Sequence, residues 1–377
     1  MSEVVAIDLE GAEAIFEASA DGTIGIEEEF AILDPETLDM APRFEELRDS
    51  AEPELAEHIT GELIMSEIEI VSGRGDDLAD ALARQAEARA RLFAHVGAAG
   101  AKLGATGTHP WADYRTQPNI DTEHYRRVVD GLGYPARRNN TFSLHVHVGV
   151  QGADRAIQTC DRLRPLLPIL LAASASSPFV DGEDTRLHSA RTETFTRTFP
   201  RCGVPDAYGS WAAYRDYIDL LVRTNSIVEY TQVWWSVRPH FSFGTVEMRI
   251  CDVQPTDAES DALSALIAGA ILRAANDVAE GVPFLDPPAR LVEENLWRAI
   301  RHGMDGKLID FDAGVEVPAR EMLERTAAWA GVDLALPERN GAQRQRAAFA
   351  DGGSLRDVYA AMVEETQRTY GRAATSA

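Results

Sequence analysis

The sequence is poor in lysine, in cysteine and in long apolar runs, and each shortage removes a class of function. Only Lys102 and Lys307 are lysines among 377 residues, and 36 basic side chains face 61 acidic ones for a formal charge of -25. A surface of that sign repels nucleic acid and anionic membranes, so neither is expected as a partner. An anionic substrate must instead meet local arginines or metal ions. The three cysteines, Cys160, Cys202 and Cys251, lie far apart with no CxxC spacing. That pattern suggests neither a disulfide framework nor a zinc cluster, and it fits a reducing cytoplasm. No stretch is expected to reach the roughly 20 apolar residues of a membrane span. The opening MSEVVAIDLEGAEAIFEASADG lacks the basic and apolar regions of a secretory signal. A P-loop GxxxxGK[ST] and a glycine-rich kinase loop are also missing.

What is present reads as globular: 45% of residues are hydrophobic and 26% charged. Without repeats or a low-complexity linker, residues 1–377 are expected to form a single domain, with residues 1–20 and 371–377 at its periphery. TIGIEEEFAILDP (23–35) reads as a strand, GELIMSEIEIVSG (61–73) as a second, and DDLADALARQAEARARLFAHVGAAG as a helix whose Leu78, Leu82, Ala86, Arg89, Phe93 and Val96 share a face. AKLGATGTHP and TFSLHVHVGV (141–150) read as strands, and DRAIQTCDRLRPLLPILLAASASSP as a buried helix kinked by proline. Residues 181–210 are expected to be a long polar loop. SIVEYTQVWWSVRPH and FSFGTVEMRICDVQP read as a strand pair, and Thr256 with Glu259 marks the capped start of a further helix. The last hundred residues read as helices. The fold class is therefore α+β, a mostly antiparallel sheet with helices on one face.

Strand parity then sorts the polar residues, because successive side chains point to opposite faces. Glu27 and Glu29 oppose Ile24, Ile26, Phe30 and Ile32, while Glu67 and Glu69 oppose Ile68 and Ile70. His145 and His147 oppose Leu144, Val146 and Val148, while Glu247 and Arg249 oppose Val246, Met248 and Ile250. One such strand is no more than a wet sheet edge. Four of them gather up to five carboxylates and two histidines on one face, and clustered carboxylates repel unless protonated or bridged by cations. Hard divalent cations take oxygen ligands, with substrate phosphates and water completing the shell of magnesium. The face therefore reads as a multi-metal platform for phosphoryl chemistry, in which metals and arginines neutralise phosphate charge. Glu28 falls on the aliphatic side and is expected at a rim from which it snorkels, so that Glu28→Ala would be mild.

The segments GIEEEF, EIEIVSG, GTHPWADY, HVHVG, WWSVRPHFSFGTVEMRICD and ENLWRAIRHGMDGKLID, in that order over most of the chain, resemble the bacterial carboxylate-amine ligases of the glutamate-cysteine ligase type 2 family. The resemblance implies a curved sheet similar to that of glutamine synthetase and the guanido kinases. It also implies ATP and two or more Mg2+ ions, with Mn2+ as a substitute, and amino acids as substrates. In such enzymes ATP phosphorylates a carboxylate, here the γ-carboxylate of L-glutamate, and an amine, here that of L-cysteine, attacks the acyl phosphate. The products are γ-glutamylcysteine, ADP and phosphate.

Carried over residue by residue, the resemblance makes Glu27, Glu29, Glu67, His145, His147 and Glu247 the metal set, with Glu69 as a weaker member. Arg249 and Glu247 are then the catalytic pair, and a homodimer is a family-level expectation. Arg238 near the site strand, and Arg186 and Arg191 in the 181–210 loop, are candidates for substrate binding. Arg197 in that loop and Arg301 are candidates for ATP. Guanidinium suits both tasks because it pairs bidentately with carboxylate and phosphate. Trp234, Trp235 and Trp297 read as packing residues, as does Cys251, since an acyl phosphate route needs no thiol. Two rivals exist. A cupin-like oxygenase would need a glutamate shortly after HVH, and HVHVGVQGADRA has none in place. A metal- or nucleotide-binding protein without turnover would keep the fold, which alone never proves catalysis. The sequence leaves the identity of the amine open.

Overall fold

Alternating aliphatic and acidic residues produce strands close to where the pattern places them. A computed structural model describes residues 7–371. Residues 1–6 and 372–377, parts of the two ends expected at the periphery, lie outside the described residues. The main sheet contains β1 (Ile24–Leu33), β2 (Ile59–Thr60), β3 (Glu67–Val71), β4 (Lys102–Gly104), β5 (Ser143–Gly149), β6 (Val237–His240) and β7 (Thr245–Asp252). Its order is β6-β7-β5-β1-β3-β2, with β4 also paired to β1, and every pairing is antiparallel. Register sets Glu27 opposite His145, Glu29 opposite Glu69, Ala31 opposite Glu67, and His147 between Gly25 and Glu247. Cross-strand partners share a face, so the acids and histidines of four strands do gather on one side.

The helices lie mostly on the other side. They include α1 (Leu9–Glu17), α2 (Leu78–Ala98), α3 (Glu123–Leu132), α4 (Ala153–Leu163), α5 (Leu167–Ser174), α6 (Ala190–Thr196), α7 (Asp257–Ala279) and α8 (Leu355–Tyr370). Two of them, α3 and α6, flank the acid-bearing face instead. Of the rest, α2, α4, α5, α7 and α8 pack on the sheet, burying Ile24, Ile26, Leu144, Val146, Val148, Val246 and Met248 in one core and Phe30, Ile32, Ile68 and Ile70 in the next. The proline kink falls between α4 and α5, where Pro165 and Pro168 start successive helical turns. Helix α7 is long and apolar enough to cross a membrane, contrary to the expectation that no segment would be. Most of its apolar window, 61%, is buried inside the protein.

Several elements differ from the sequence reading. Of the strand expected over 61–73, only β3 (Glu67–Val71) forms; residues 61–66 make the turn that joins it to β2, which lies just before the expected span. The loop 181–210 contains α6, capped by Ser189, and SIVEYTQVWWSVRPH is strand only from Trp234 onward. A hairpin, Lys307–Asp310 with Val315–Pro318, interrupts the C-terminal helices. A bulge between Met248 and Cys251 shifts the pairing of β7. Strict alternation would aim Cys251 at the acids, but the extra residue sends it to the helix side opposite Leu144, where it is fully buried. The N-terminal stretch is not all peripheral either, since α1 buries Ala12 and Phe16.

The largest correction concerns Glu28. Parity assigns it to the helix side, and there it sits, but it is 0% exposed rather than at a rim. Arg89, 1% exposed, forms an ion pair with it, and Gln85 Nε2 donates to Glu28 Oε2 at 2.8 Å. Ser260 Oγ and Tyr370 Oη donate to Glu28 Oε1 at 2.5 and 3.1 Å. Arg89 also reaches Asp261 at 2.7 Å and lies 5.2 Å over the Tyr370 ring. Burial opposes the guanidinium charge, yet Glu28 and Asp261 raise the Arg89 pKa above its ordinary value. One network thus ties β1 to α2, α7 and α8.

Removing one partner of a buried ion pair leaves the other charge unpaired, at a cost of about 3–5 kcal/mol. Glu28→Ala and Arg89→Ala are each expected to destabilise the protein by about that much in denaturant unfolding. A loss below about 1 kcal/mol would show that the pair contributes no more than a surface salt bridge.

Candidate active site

The front face of the sheet floors a cavity of about 370 Å³. Six carboxylates line it, Glu27, Glu29, Glu62, Glu67, Glu69 and Glu247, and only three arginines, Arg191, Arg238 and Arg249. The two histidines of β5 interleave with the acids. His145 Nδ1 lies 3.1 Å from Glu27 Oε2 and its Nε2 lies 3.8 Å from Glu29 Oε1. His147 Nε2 lies 3.2 Å from Glu27 Oε1 and 3.7 Å from Glu247 Oε1, while its Nδ1 meets Thr245 Oγ1 at 3.0 Å. Glu29 is fixed from behind by the Ser143 amide, which donates to it at 2.6 Å. Glu247 is clamped by Arg238 Nε at 2.6 Å and by Arg249.

The charge balance follows from these neighbours. Burial raises the pKa of Glu27 and Glu247, but His147 and His145 hold Glu27 well below the usual carboxylate range, and Arg238 and Arg249 do the same for Glu247. At the other end of the cavity no such cation is in contact. Burial, then Glu29, pushes Glu62 up to about 8. Burial and neighbouring acids also raise Glu67 and Glu69 well above their ordinary values. His147 is raised by Glu27 and Glu247 against the effect of burial, whereas burial and then Arg249 lower His145.

Three groups of side chains can each present ligand atoms within 4.8 Å of one another: Glu27, His147 and Glu247; Glu27, Glu69 and His145; and Glu29, Glu62 and Glu69. They overlap through Glu27 and Glu69, so a row of cations would share ligands. Carboxylate oxygen with one imidazole suits Mg2+ and Mn2+. The buried His147 Nε2 of the first group has no hydrogen-bond partner, which supports the same fit, whereas Glu67 belongs to none of the three groups.

Of the residues singled out in the sequence, the structure brings Glu27, Glu29, Glu67, His145, His147, Glu247, Arg249, Arg238 and Arg191 to this one cavity. Arg191 is held by the Ile250 and Arg249 carbonyls at 3.1 and 3.3 Å. Its own amide donates to Ser177 Oγ, which donates in turn to the buried Asp252 at 2.6 Å. Arg186, Arg197 and Arg301 do not line the cavity. Arg186 is exposed, with a left-handed φ of 59°, and its carbonyl accepts from Arg301 Nη1 at 2.6 Å. Arg197 is half-exposed beside Glu193 at 3.9 Å. Arginine density in a loop sequence does not reveal which guanidinium turns inward.

Sequence reasoning passed over Glu62 and His240. Glu62 enters from the turn between β2 and β3, where no strand parity applies. His240 carried a usable signal, being two residues beyond Arg238 on β6 and therefore on the same face. Burial lowers its pKa to about 4. Phe195, Phe199 and Trp234 form an aromatic wall, with ring centroids 4.5 Å apart for the first two and 5.4 Å for the last two.

Comparison with solved structures agrees with this architecture. The glutamate–cysteine ligase of Francisella tularensis, solved in complex with AMP, matches with TM-score 0.69 at 11% identity, over 93% of this chain and 89% of its own. The bifunctional glutathione synthetase from Pasteurella multocida matches with TM-score 0.67 at 13% identity over 95% of this chain, which spans about half (53%) of that protein. Identities this low show the fold alone. A Rubrobacter xylanophilus protein provisionally named glutamate–cysteine ligase 2-2 is 40% identical over 357 residues, 92% of each chain. A Solibacter usitatus protein provisionally named glutamate–cysteine ligase 2 is 36% identical over 360 residues, 92% of this chain and 93% of its own. The profile of glutamate-cysteine ligase family 2 matches residues 23–349. The chain belongs to that family, and its class is that of an ATP-dependent ligase forming a carbon–nitrogen bond.

The raised carboxyls give a pH test. A carboxyl whose pKa is higher folded than unfolded stabilises the fold while protonated. For Glu62 that contribution is full below its ordinary 4.5 and is lost as pH rises through about 8. The metal-free protein should therefore melt at falling temperature across this window, and Mg2+ or Mn2+ should restore the loss by binding the ionised carboxylates. Thermal melts with and without the cation check this. Equal melting temperatures at about pH 9 would contradict it.

Proposed function

We propose that the protein joins the γ-carboxylate of L-glutamate to the amine of L-cysteine, using ATP and two or more Mg2+ ions. The observation that carries this reading is the row of three ligand groups sharing Glu27 and Glu69, set beside three inward arginines. A binding site for one structural metal would need a single group. A row is what a polyphosphate and a carboxylate meeting each other would require. The AMP bound to the Francisella tularensis ligase supports nucleotide use on this fold.

Divalent cations, when bound by these groups, neutralise phosphate charge and orient the transferring phosphoryl group. The chain's own residues supply the rest. Glu29, locked by Ser143, and Glu247, locked by Arg238, give ligand positions that do not need to reorganise. Arg191 and Arg249 place fixed positive charge on the cavity wall, suited to a substrate carboxylate or a phosphate. In the reaction, a γ-carboxylate oxygen bonds to the terminal phosphorus as ADP leaves. The amine nitrogen then bonds to the acyl carbon as phosphate leaves, and the nitrogen loses a proton. The aromatic wall and the α3 side chains Tyr125 and Val128 line this space with apolar and aromatic surface.

ADP formation should depend on Mg2+ or Mn2+ and on both amino acids, and mass spectrometry of the products from an amino acid mixture should identify the dipeptide. Glu27→Ala and Glu247→Ala are expected to lower turnover by at least about a hundredfold. Nucleotide binding without any amine-dependent ADP release would leave a binding protein on a ligase fold.

A further inference from the structure

The bulge in β7 leaves one buried carboxylate that the chemistry above does not use. Past the bulge Asp252 pairs with Ser143, yet it is fully buried and does not line the cavity. Its Oδ2 accepts from the Ser176 amide at 2.8 Å and from Ser177 Oγ at 2.6 Å, and its Oδ1 accepts from Ser189 Oγ at 2.9 Å. Gly107 makes room for it, since a Cβ there would lie 2.6 Å from Asp252 Cγ. The cation nearest to this carboxylate is Arg191, whose Nη1 lies 3.7 Å from Oδ1. Among the described residues, Arg191 is the one arginine of the cavity that pairs with none of its acids, because Arg238 and Arg249 are both taken by Glu247. Arg191 Nε and Glu67 Oε2 are both buried and both lack a hydrogen-bond partner, although their residues line the same cavity. A guanidinium and a carboxylate attract strongly where water is scarce, so the two must be held apart.

We infer that Asp252, with Ser177 and Ser189, is a positioning unit that keeps Arg191 from collapsing onto Glu67 and so reserves its charge for an anionic oxygen of the substrate, a carboxylate or a phosphate. This rests on the ligase reading and deepens it. The unit acts at two points. The Asp252 charge holds the guanidinium, which also donates to the Ile250 and Arg249 carbonyls of the bulge. Ser177 Oγ, fixed by Asp252, accepts from the Arg191 amide and so sets the start of α6. Without the carboxylate, the guanidinium is free to turn to Glu67, and a single movement would remove a cation from the substrate and an open acid from the cavity.

The test measures amine-dependent ADP release by the full-length protein and by Asp252→Asn, which keeps the size of the side chain and removes its charge. The KM for one anionic substrate should rise roughly ten- to hundredfold, with kcat changed much less. A rise confined to glutamate assigns Arg191 to a carboxylate, and one confined to ATP assigns it to a phosphate. Ser177→Ala, which leaves the Asp252 charge in place, should show the same pattern more weakly and keeps the test open if Asp252→Asn does not fold. In an Arg191→Ala background Asp252→Asn should cost nothing further, whereas losses that simply add would overturn the inference. A purely structural role would lower kcat through the active fraction and leave both KM values unchanged, which would overturn it while sparing the ligase reading. Unchanged kinetics in Asp252→Asn would do the same. No ADP release by the unsubstituted protein would overturn both.

Discussion

The protein is organised around the cost of placing charge on both sides of one strand. Glu27, Glu28 and Glu29 are consecutive, so the pleat throws the middle one into the helical layer and the outer two toward the cavity. Neither environment tolerates a lone carboxylate. The two solutions differ. Behind the sheet, Glu28 is matched internally by Arg89, Gln85, Ser260 and Tyr370. In front, protein cations are too few for the carboxylates, and the imbalance is left for ligands to complete.

That imbalance is graded along the sheet. At the β5–β7 side, histidines and arginines hold Glu27 and Glu247 ionised. At the β2–β3 side, Glu62, Glu67 and Glu69 sit with one another and are pushed toward the neutral form. A site that is ionised at one end and reluctant at the other binds cations with release of protons. The bulge in β7 adjusts the same surface: it keeps Glu247 and Arg249 forward, turns Cys251 into the core, and brings Asp252 round to brace Arg191 through Ser177.

The pattern of strands was legible because alternation is a local property. It located Glu27, Glu29, Glu67, Glu69, His145, His147 and Glu247 on one face from four separate segments. It failed where alternation stops. Glu62 enters from a turn, and Arg186, Arg197 and Arg301 are set apart from the cavity by loop and helix geometry that arginine counts do not encode. It also misjudged Glu28. The parity was right, but its depth depends on Arg89 and Tyr370, which lie 61 and 342 residues away.

The sequence by itself determined which side chains share a face, because period-two geometry is written into neighbouring residues. It also carried the family resemblance, because the motifs are contiguous. Only the tertiary structure decided which charges are paired, how deep each lies, and which of the arginines turn into the cavity. Those properties depend on distances between segments remote in the chain, and burial and electrostatics are functions of such distances rather than of order along the backbone.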